Sequence, residues 1–491
     1  MPAHAPPSNY TCAVRHLSPS GRWTWLFGVL AVGLGFRLLL AYVLLPDSGY
    51  WQDVALFASW AQSLAYYGPG RFYETAGFAD YPAGFLIVVW LVGVISNAIS
   101  ADDVFLTRAL IKAPAMLADV GIAFVAYLAI RRIASRRAAL IAAAIYLINP
   151  VTWLDSALWG QNDALGTLAL SLAVLGLAAR QPELAALSGA AALLIKPQFA
   201  ILAPLIIVVL VHRHALQDSS VWRRAKDGPL RLLTSAAVGL LALWLPPALF
   251  GQTPVDLVSH MQQQANLYPY ASMSAFNPWT IFSLLYSGRA PELTELIPWV
   301  DDRDAVFAFV TPFVVGLALF AGACAIALWR LWRSLGTRDE RIQLWACSST
   351  IVFAFFVLAT RMHERYAFPF FALALPLVVL SKRWLLAYAV ATVGCWANIY
   401  AIYALSWVDG WAYTGPDLLT GALATPLGMA VDSAVNTVAL LLVLWVGGIR
   451  RAGETTIGRI ESNSDVGVVG SKRGSVLQQP DGGLVVPHPQ P

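Results

Sequence analysis

Charge is what this chain has least of. Only 12% of its 491 residues are Asp, Glu, Lys or Arg, while 58% are hydrophobic, a balance that excludes an ordinary soluble protein. Cysteine is scarce as well. The four present, Cys12, Cys324, Cys347 and Cys395, fall in the N-terminal tail or inside apolar runs, so neither a disulfide nor a metal cluster is expected. No carboxylate pair has the spacing of a metal motif, and His212 and His214 lie in a basic connector. A glycine-rich nucleotide cradle is missing, and so is a polar segment large enough for a nucleotide-sugar fold. These absences argue against a soluble activated donor and leave no cofactor to expect. The net charge of +4 comes largely from Lys and Arg beside apolar runs, where membrane topology accounts for it without nucleic acid.

What is present is a long series of apolar runs. Counting spans of roughly 20 residues, with the basic connectors in the cytosol, gives an all-α polytopic membrane protein of about 12 transmembrane helices, both termini inside. Residues 1–22 are too long and polar for a cleaved signal peptide and read as a cytosolic tail before a first span at Trp23 to Leu45. Arg131, Arg132, Arg136 and Arg137 form the next cytosolic cluster. Only one of the two apolar runs before it can therefore cross: Leu110 to Ile130 is the second span, and the shorter Phe85 to Ile99 is a juxtamembrane or re-entrant helix. The membrane domain covers 23–452, with a first external loop at 46–107 and a second at 251–304. DSALWGQND follows the third span as a short outer loop, and a tenth span is expected between RMHERY and Lys382. Residues 453–491 show no periodicity and are expected to be a disordered cytosolic tail.

The first external loop holds the residues most suited to chemistry. From Gln52 to Leu64 the apolar residues Val54, Phe57, Ala58, Ala61 and Leu64 recur at helical spacing, which predicts an amphipathic helix on the membrane surface. Asp53 stands at its start, where a carboxylate either accepts a proton or caps the helix. Most other unusual polar residues fall on the same outer face: Asp47, Asp80, Arg108 and Lys112, Asp155, Gln161, Asp163, Lys196, Gln198, Arg361, His363, Glu364 and Arg365. Lys196 alone reads as readily as a snorkelling anchor. Basic groups converging opposite the cytosol run against the positive-inside bias, and a lipid-linked phosphate is the natural anion to hold them. Arg37, Asp119 and Asp432 lie inside predicted spans, where function and pairing within the bundle are both open.

WQDVALFASWA followed by ADYPAG, with ALWGQND, KPQ and RMHERYAFP further on, resembles the GT-C superfamily of membrane glycosyltransferases, in particular the polyprenyl- and dolichyl-phosphate-sugar glucosyl- and mannosyltransferases. The motifs reach from the first span to about residue 370. The resemblance implies a GT-C-like bundle with amphipathic juxtamembrane helices in the first external loop. It further implies an inverting transferase that moves a hexose from a polyprenyl-phosphate carrier to a glycolipid, glycan or protein acceptor. By motif position Asp53 would be the general base, with Asp47 as runner-up. Arg108, Lys112, Arg361, His363, Arg365 and Lys196 would bind the donor phosphate. Trp159, Gln161, Asp163, Gln198 and Tyr81 would line the sugar or acceptor side, with Asp80 ordering the turn before Tyr81. Ala83 departs from the family's second proline. Tyr268, Tyr270 and Asn277 either bind acceptor or pack their loop, and Glu364 either joins the site or pairs with an Arg. The expected setting is a bacterial plasma membrane, with membrane lipids around the spans and the site outside. The competing class is a transporter or flippase for an anionic lipid-linked saccharide, which would carry polar residues along a path through its spans.

Overall fold

Deep in a bilayer the backbone has no water to bond, so long apolar segments satisfy their N–H and C=O groups internally as helices. The computed structural model describes residues 21–216, 228–288, 296–306, 308–406 and 418–448, and every regular element among them is helical. The expectations for Cys12 and for the tail 453–491 lie outside the described residues. Eight of the described helices are long and apolar enough to cross a membrane, or nine if the bent pair Arg136–Ile148 and Pro150–Trp159 is one span. Ala83–Ile99, Asp163–Ala178 and Pro182–Ile195 are shorter apolar helices. Large apolar side chains such as Val32, Leu233 and Leu240 stay exposed on the outside of the spans. Lipid is the solvent such a surface requires, and the chain is an integral membrane protein.

The helices that position the site are α1 (Gly21–Leu39), α2 (Trp51–Tyr67), α3 (Ala83–Ile99), α4 (Ala113–Ile130), α5 (Arg136–Ile148), α6 (Asp163–Ala178), α7 (Pro182–Ile195), α8 (Pro312–Trp332), α9 (Glu340–Leu358), α10 (Lys382–Ser406) and α11 (Pro426–Gly447). Central α6 packs against α4, α7 and α9, while α10 pairs with α11 and α8 with α9. The amphipathic helix read from 52–64 is α2. It buries Val54, Phe57, Ala58, Ala61 and Leu64, and lies along α3. Gly93 makes that approach possible, because a Cβ there would stand 2.0 Å from the Ala61 carbonyl oxygen.

Two expected segments take other forms. DSALWGQND is no outer loop: Pro150 starts a new helix bent 47° from α5, a π-helical turn carries it to Trp159, and residues 154–163 are buried. Between RMHERY and Lys382 the chain forms two short buried helices, Phe368–Leu373 and Leu375–Val378, in place of one span. Pro369 and Pro376 stand in the first turns of these helices, where a proline opens a helix and ends the one before it.

Two of the charges inside the spans, Arg37 and Asp119, pair with each other. Arg37 is fully buried and donates to Asp119 Oδ2 at 2.8 Å, to the Leu147 carbonyl at 2.9 Å and to Thr152 Oγ1 at 3.0 Å. Tyr146 and Ser156 donate to the same carboxylate at 2.7 and 2.6 Å, so the network joins α1, α4, α5 and the bent turn. Asp432 accepts at 3.4 Å from Asn436, one turn along α11. Removing one partner of a dry ion pair leaves the other unpaired. Asp119→Ala is therefore expected to destabilise the protein by about 3–5 kcal/mol, and Arg37→Met/Asp119→Leu by much less. Thermal unfolding of the detergent-solubilised variants measures the difference.

Candidate active site

A cavity of about 990 Å³ is lined by every motif quoted above except WGQND, which forms the layer behind it. Asp53 and Gln52 come from the start of α2, Asp80 and Tyr81 from the turn before α3, and Lys196, Pro197 and Gln198 from the break after α7. Arg361, His363, Glu364, Arg365 and Tyr366 come from the segment after α9, and Tyr268 from the second loop. Phe313, Leu317 and Phe320 of α8 and Phe355 of α9 give one wall an apolar surface.

Asp53 is no helix cap. The cap position is Tyr50, whose side chain makes no cap bond, and the Asp53 carboxylate accepts instead from Trp159 Nε1 at 2.7 Å and Gln161 Nε2 at 2.5 Å. Both bonds arrive at one oxygen, Oδ2. The two donors reach the same atom because Gly160 between them is left-handed, with φ +84°, and ends the π-helical turn there. A side chain would be strained in that conformation, and its Cβ would press on Val54 at 3.0 Å. The Trp159 ring is held by the stacked Tyr50 ring, centroids 4.5 Å apart, and by the Arg365 guanidinium 5.1 Å from its centroid. The Tyr50 N–H also donates to the Trp159 carbonyl at 2.9 Å.

Behind Gln161 lies a buried run of charges. Lys196 ends α7, where Pro197 forces the preceding residue into extended backbone. Its Nζ donates to Gln161 Oε1 at 3.0 Å and to Asp163 Oδ1 at 2.8 Å, and stands 5.6 Å from the Tyr81 ring centroid. Asp163 is the first residue of α6, where the helix N-terminus favours a carboxylate. Arg365 Nε lies 3.6 Å from Asp163 Oδ2 and has no hydrogen-bond partner among the described residues, while Nη1 donates to Glu364. His363 Nδ1 is 3.9 Å from Glu364 Oε2. Burial, then the Arg365 and Lys196 charges, hold the His363 imidazole well below its ordinary range, so at neutral pH it offers one N–H donor and no charge.

Several expected site residues stand elsewhere. Lys112 donates to the Ser48 carbonyl and, at 3.0 Å, to the Ser48 hydroxyl, tying down the loop before α2. Neither Lys112, Arg108 nor Asp47 lines the cavity. Arg361 does line it, but its guanidinium makes a two-point pair with Asp302, at 2.7 and 2.9 Å, and bonds Asn266 at 3.2 Å. It is left-handed at φ +65°, and its own N–H donates to the Tyr270 carbonyl at 3.0 Å. Asn277 is fully buried, caps Pro278–Ser287 through Trp279 N at 3.0 Å and donates to the Phe356 carbonyl at 2.9 Å. Tyr270 stacks on Trp299. Both residues therefore pack the second loop. Sequence reading missed Tyr50 and Asp302. The acidic run DDRD in an outer loop facing RMHERY was the available signal for Asp302.

A profile of the PIG-U family, the GPI transamidase subunit PIG-U, matches residues 57–252, under half of the chain. No curated protein matches the sequence. Among solved structures, ArnT from Cupriavidus metallidurans, bound to undecaprenyl phosphate, aligns at TM-score 0.44 with 14% identity over 88% of this chain and 77% of that one. The Archaeoglobus fulgidus oligosaccharyltransferase tethered to an acceptor peptide aligns at 0.34 with 16% identity, over 87% of this chain and 56% of that one.

Asp80 gives the site a measurable signature. Burial, with Asp53 adding to it, pushes its carboxyl from 3.8 up to about 6, and Oδ1 has no hydrogen-bond partner among the described residues. Because the folded value is raised, the unfolded chain releases this proton first. The contribution of Asp80 to stability is therefore fullest in acid and declines as pH rises from 3.8 to about 6. Asp80→Asn is expected to flatten that decline in melting temperatures of the solubilised protein, and an unchanged slope would assign it to another group. First-loop, α7 and RMHERY residues thus stand around one cavity with WGQND directly behind it, so the bundle of membrane helices gathers the motifs that resemble the GT-C superfamily.

Proposed function

We propose that the chain is an inverting glycosyltransferase that moves one hexose, mannose or glucose, from a polyprenyl-phosphate carrier to a glycolipid, glycan or protein acceptor on the extracytoplasmic face. The observation that carries this reading is Asp53: a carboxylate on the wall of a large cavity, with both its bonds on Oδ2, across from a cationic segment. Asp53 Oδ1 takes the proton of the acceptor hydroxyl as that oxygen attacks the anomeric carbon. The bond from this carbon to the phosphate oxygen breaks, and the electron pair leaves with the phosphate. A phosphate departs without needing a proton, so one base and a cationic cradle suffice. Arg365 and the neutral His363, both on the cavity wall, form that cradle, the first by its charge and the second by a single N–H. Arg361 shapes it from behind through Asp302. The apolar wall of Phe313, Leu317 and Phe320 suits the first isoprene units, and Asp80, Tyr81 and Gln198 are the polar side chains available to sugar hydroxyls.

The match to a transamidase subunit favours one other reading, in which the cavity holds a lipid-linked glycan for a partner enzyme without transforming it. Transfer of radiolabelled sugar from synthetic polyprenyl-phosphate glucose or mannose, by purified protein with a membrane lipid extract as acceptor, separates the two. The enzyme reading predicts labelled product from one donor, reduced about 10²- to 10⁴-fold in Asp53→Asn while donor binding persists. Donor binding without product in wild type supports the subunit, and movement of the headgroup across liposomes supports a flippase.

A further inference from the structure

We infer that Lys196 serves the reaction as a positioning residue for Asp53, acting through the amide of Gln161, and is not a ligand of the donor phosphate. The inference rests on Asp53 being the base. A glutamine amide has an accepting end and a donating end, and its neighbours decide which end faces where. Here one neighbour is an ammonium, which only donates, and the other is a carboxylate, which only accepts. Lys196 Nζ at 3.0 Å claims Oε1, so Nε2 faces Asp53 Oδ2 at 2.5 Å. Turning the amide over would set Oε1 against the carboxylate and NH₂ against the ammonium, two repulsive contacts in a fully buried side chain. Lys196 is itself fixed by Asp163, and both are nearly fully buried. Its charge is engaged before any substrate arrives. With Oδ2 occupied by Trp159 and an oriented Gln161, the Asp53 carboxylate plane is set and Oδ1 is left as the proton acceptor.

The test is a double-mutant cycle in the transfer reaction, with the purified full chain and the polyprenyl-phosphate sugar that wild type uses. Gln161→Leu, Lys196→Met and their combination are compared, with Asp53→Asn alongside. Because Lys196→Met strands the Asp163 carboxylate, Lys196→Met/Asp163→Asn provides a charge-balanced form of the same variant. We expect Gln161→Leu to lower kcat by about 10- to 100-fold and Lys196→Met by about tenfold, both with donor KM within about twofold of wild type. Adding Lys196→Met to Gln161→Leu should then cost nothing further, because the lysine has lost the group it acts through. A donor KM raised tenfold or more with kcat intact, or losses that multiply in the combined variant, would make Lys196 a phosphate ligand and overturn the inference. Undiminished transfer by Asp53→Asn would instead overturn the reading of the base, whichever way the lysine variants behave.

Discussion

The site depends on a carboxylate at the start of an amphipathic helix being joined to charges inside the bundle. Asp53 belongs to an amphipathic helix with few covalent constraints, while Asp163, the far end of its hydrogen-bond chain, is the first residue of a central helix packed on three neighbours. Between them stand one amide and one ammonium. Desolvating Lys196, Asp163, Glu364 and Arg365 is costly, and apolar residues of similar size would hold the helices together as well or better. What the charges add is direction, because each donor and acceptor in the series admits one orientation of the next.

A second consequence concerns which cations remain for a substrate. Five basic residues on one face suggested a shared anion. In the folded chain Lys112 is spent on Ser48, Arg361 on Asp302 and Lys196 on Gln161 and Asp163, and Arg108 is away from the cavity. Arg365, beside the neutral His363, is paired through Nη1 with Glu364 while its guanidinium still lines the cavity. The cradle proposed for the donor, one cation and one neutral donor, is better matched to a monophosphate ester than to a carrier with more charge.

Much of this was legible in the sequence, for reasons that can be stated. Helical periodicity marked α2 because its buried positions are local, and the motif order brought Asp53, Asp80, Lys196 and RMHERY to one place. Two kinds of information were missing. Hydropathy and charge parity treat the chain as crossing or not crossing, so a proline-started turn that buries DSALWGQND, or two short helices in place of a span, looks the same as the regular case until packing is known. Pairing is non-local as well: nothing in the spacing of RMHERY says that Arg361 faces Asp302 across 59 positions, or that Asn277 is used up as a cap. A side chain's chemical type was readable, but whether it was still available was not.

The second loop adds a mechanical property. Its segment at 270–277 is tied to spans by amides that look out of place in apolar helices: Asn398 of α10 accepts from Phe276 N and donates to the Ser274 carbonyl, both at 2.8 Å, and Asn436 of α11 donates to the Phe276 carbonyl at 2.9 Å. Met273 N also bonds the Met362 carbonyl at 3.0 Å. A roof riveted to two transmembrane helices cannot lift like a flap. Met273 and Ser274, which line the cavity, therefore take their position from α10 and α11, so bilayer thickness and lateral pressure, acting on those helices, become variables of the site.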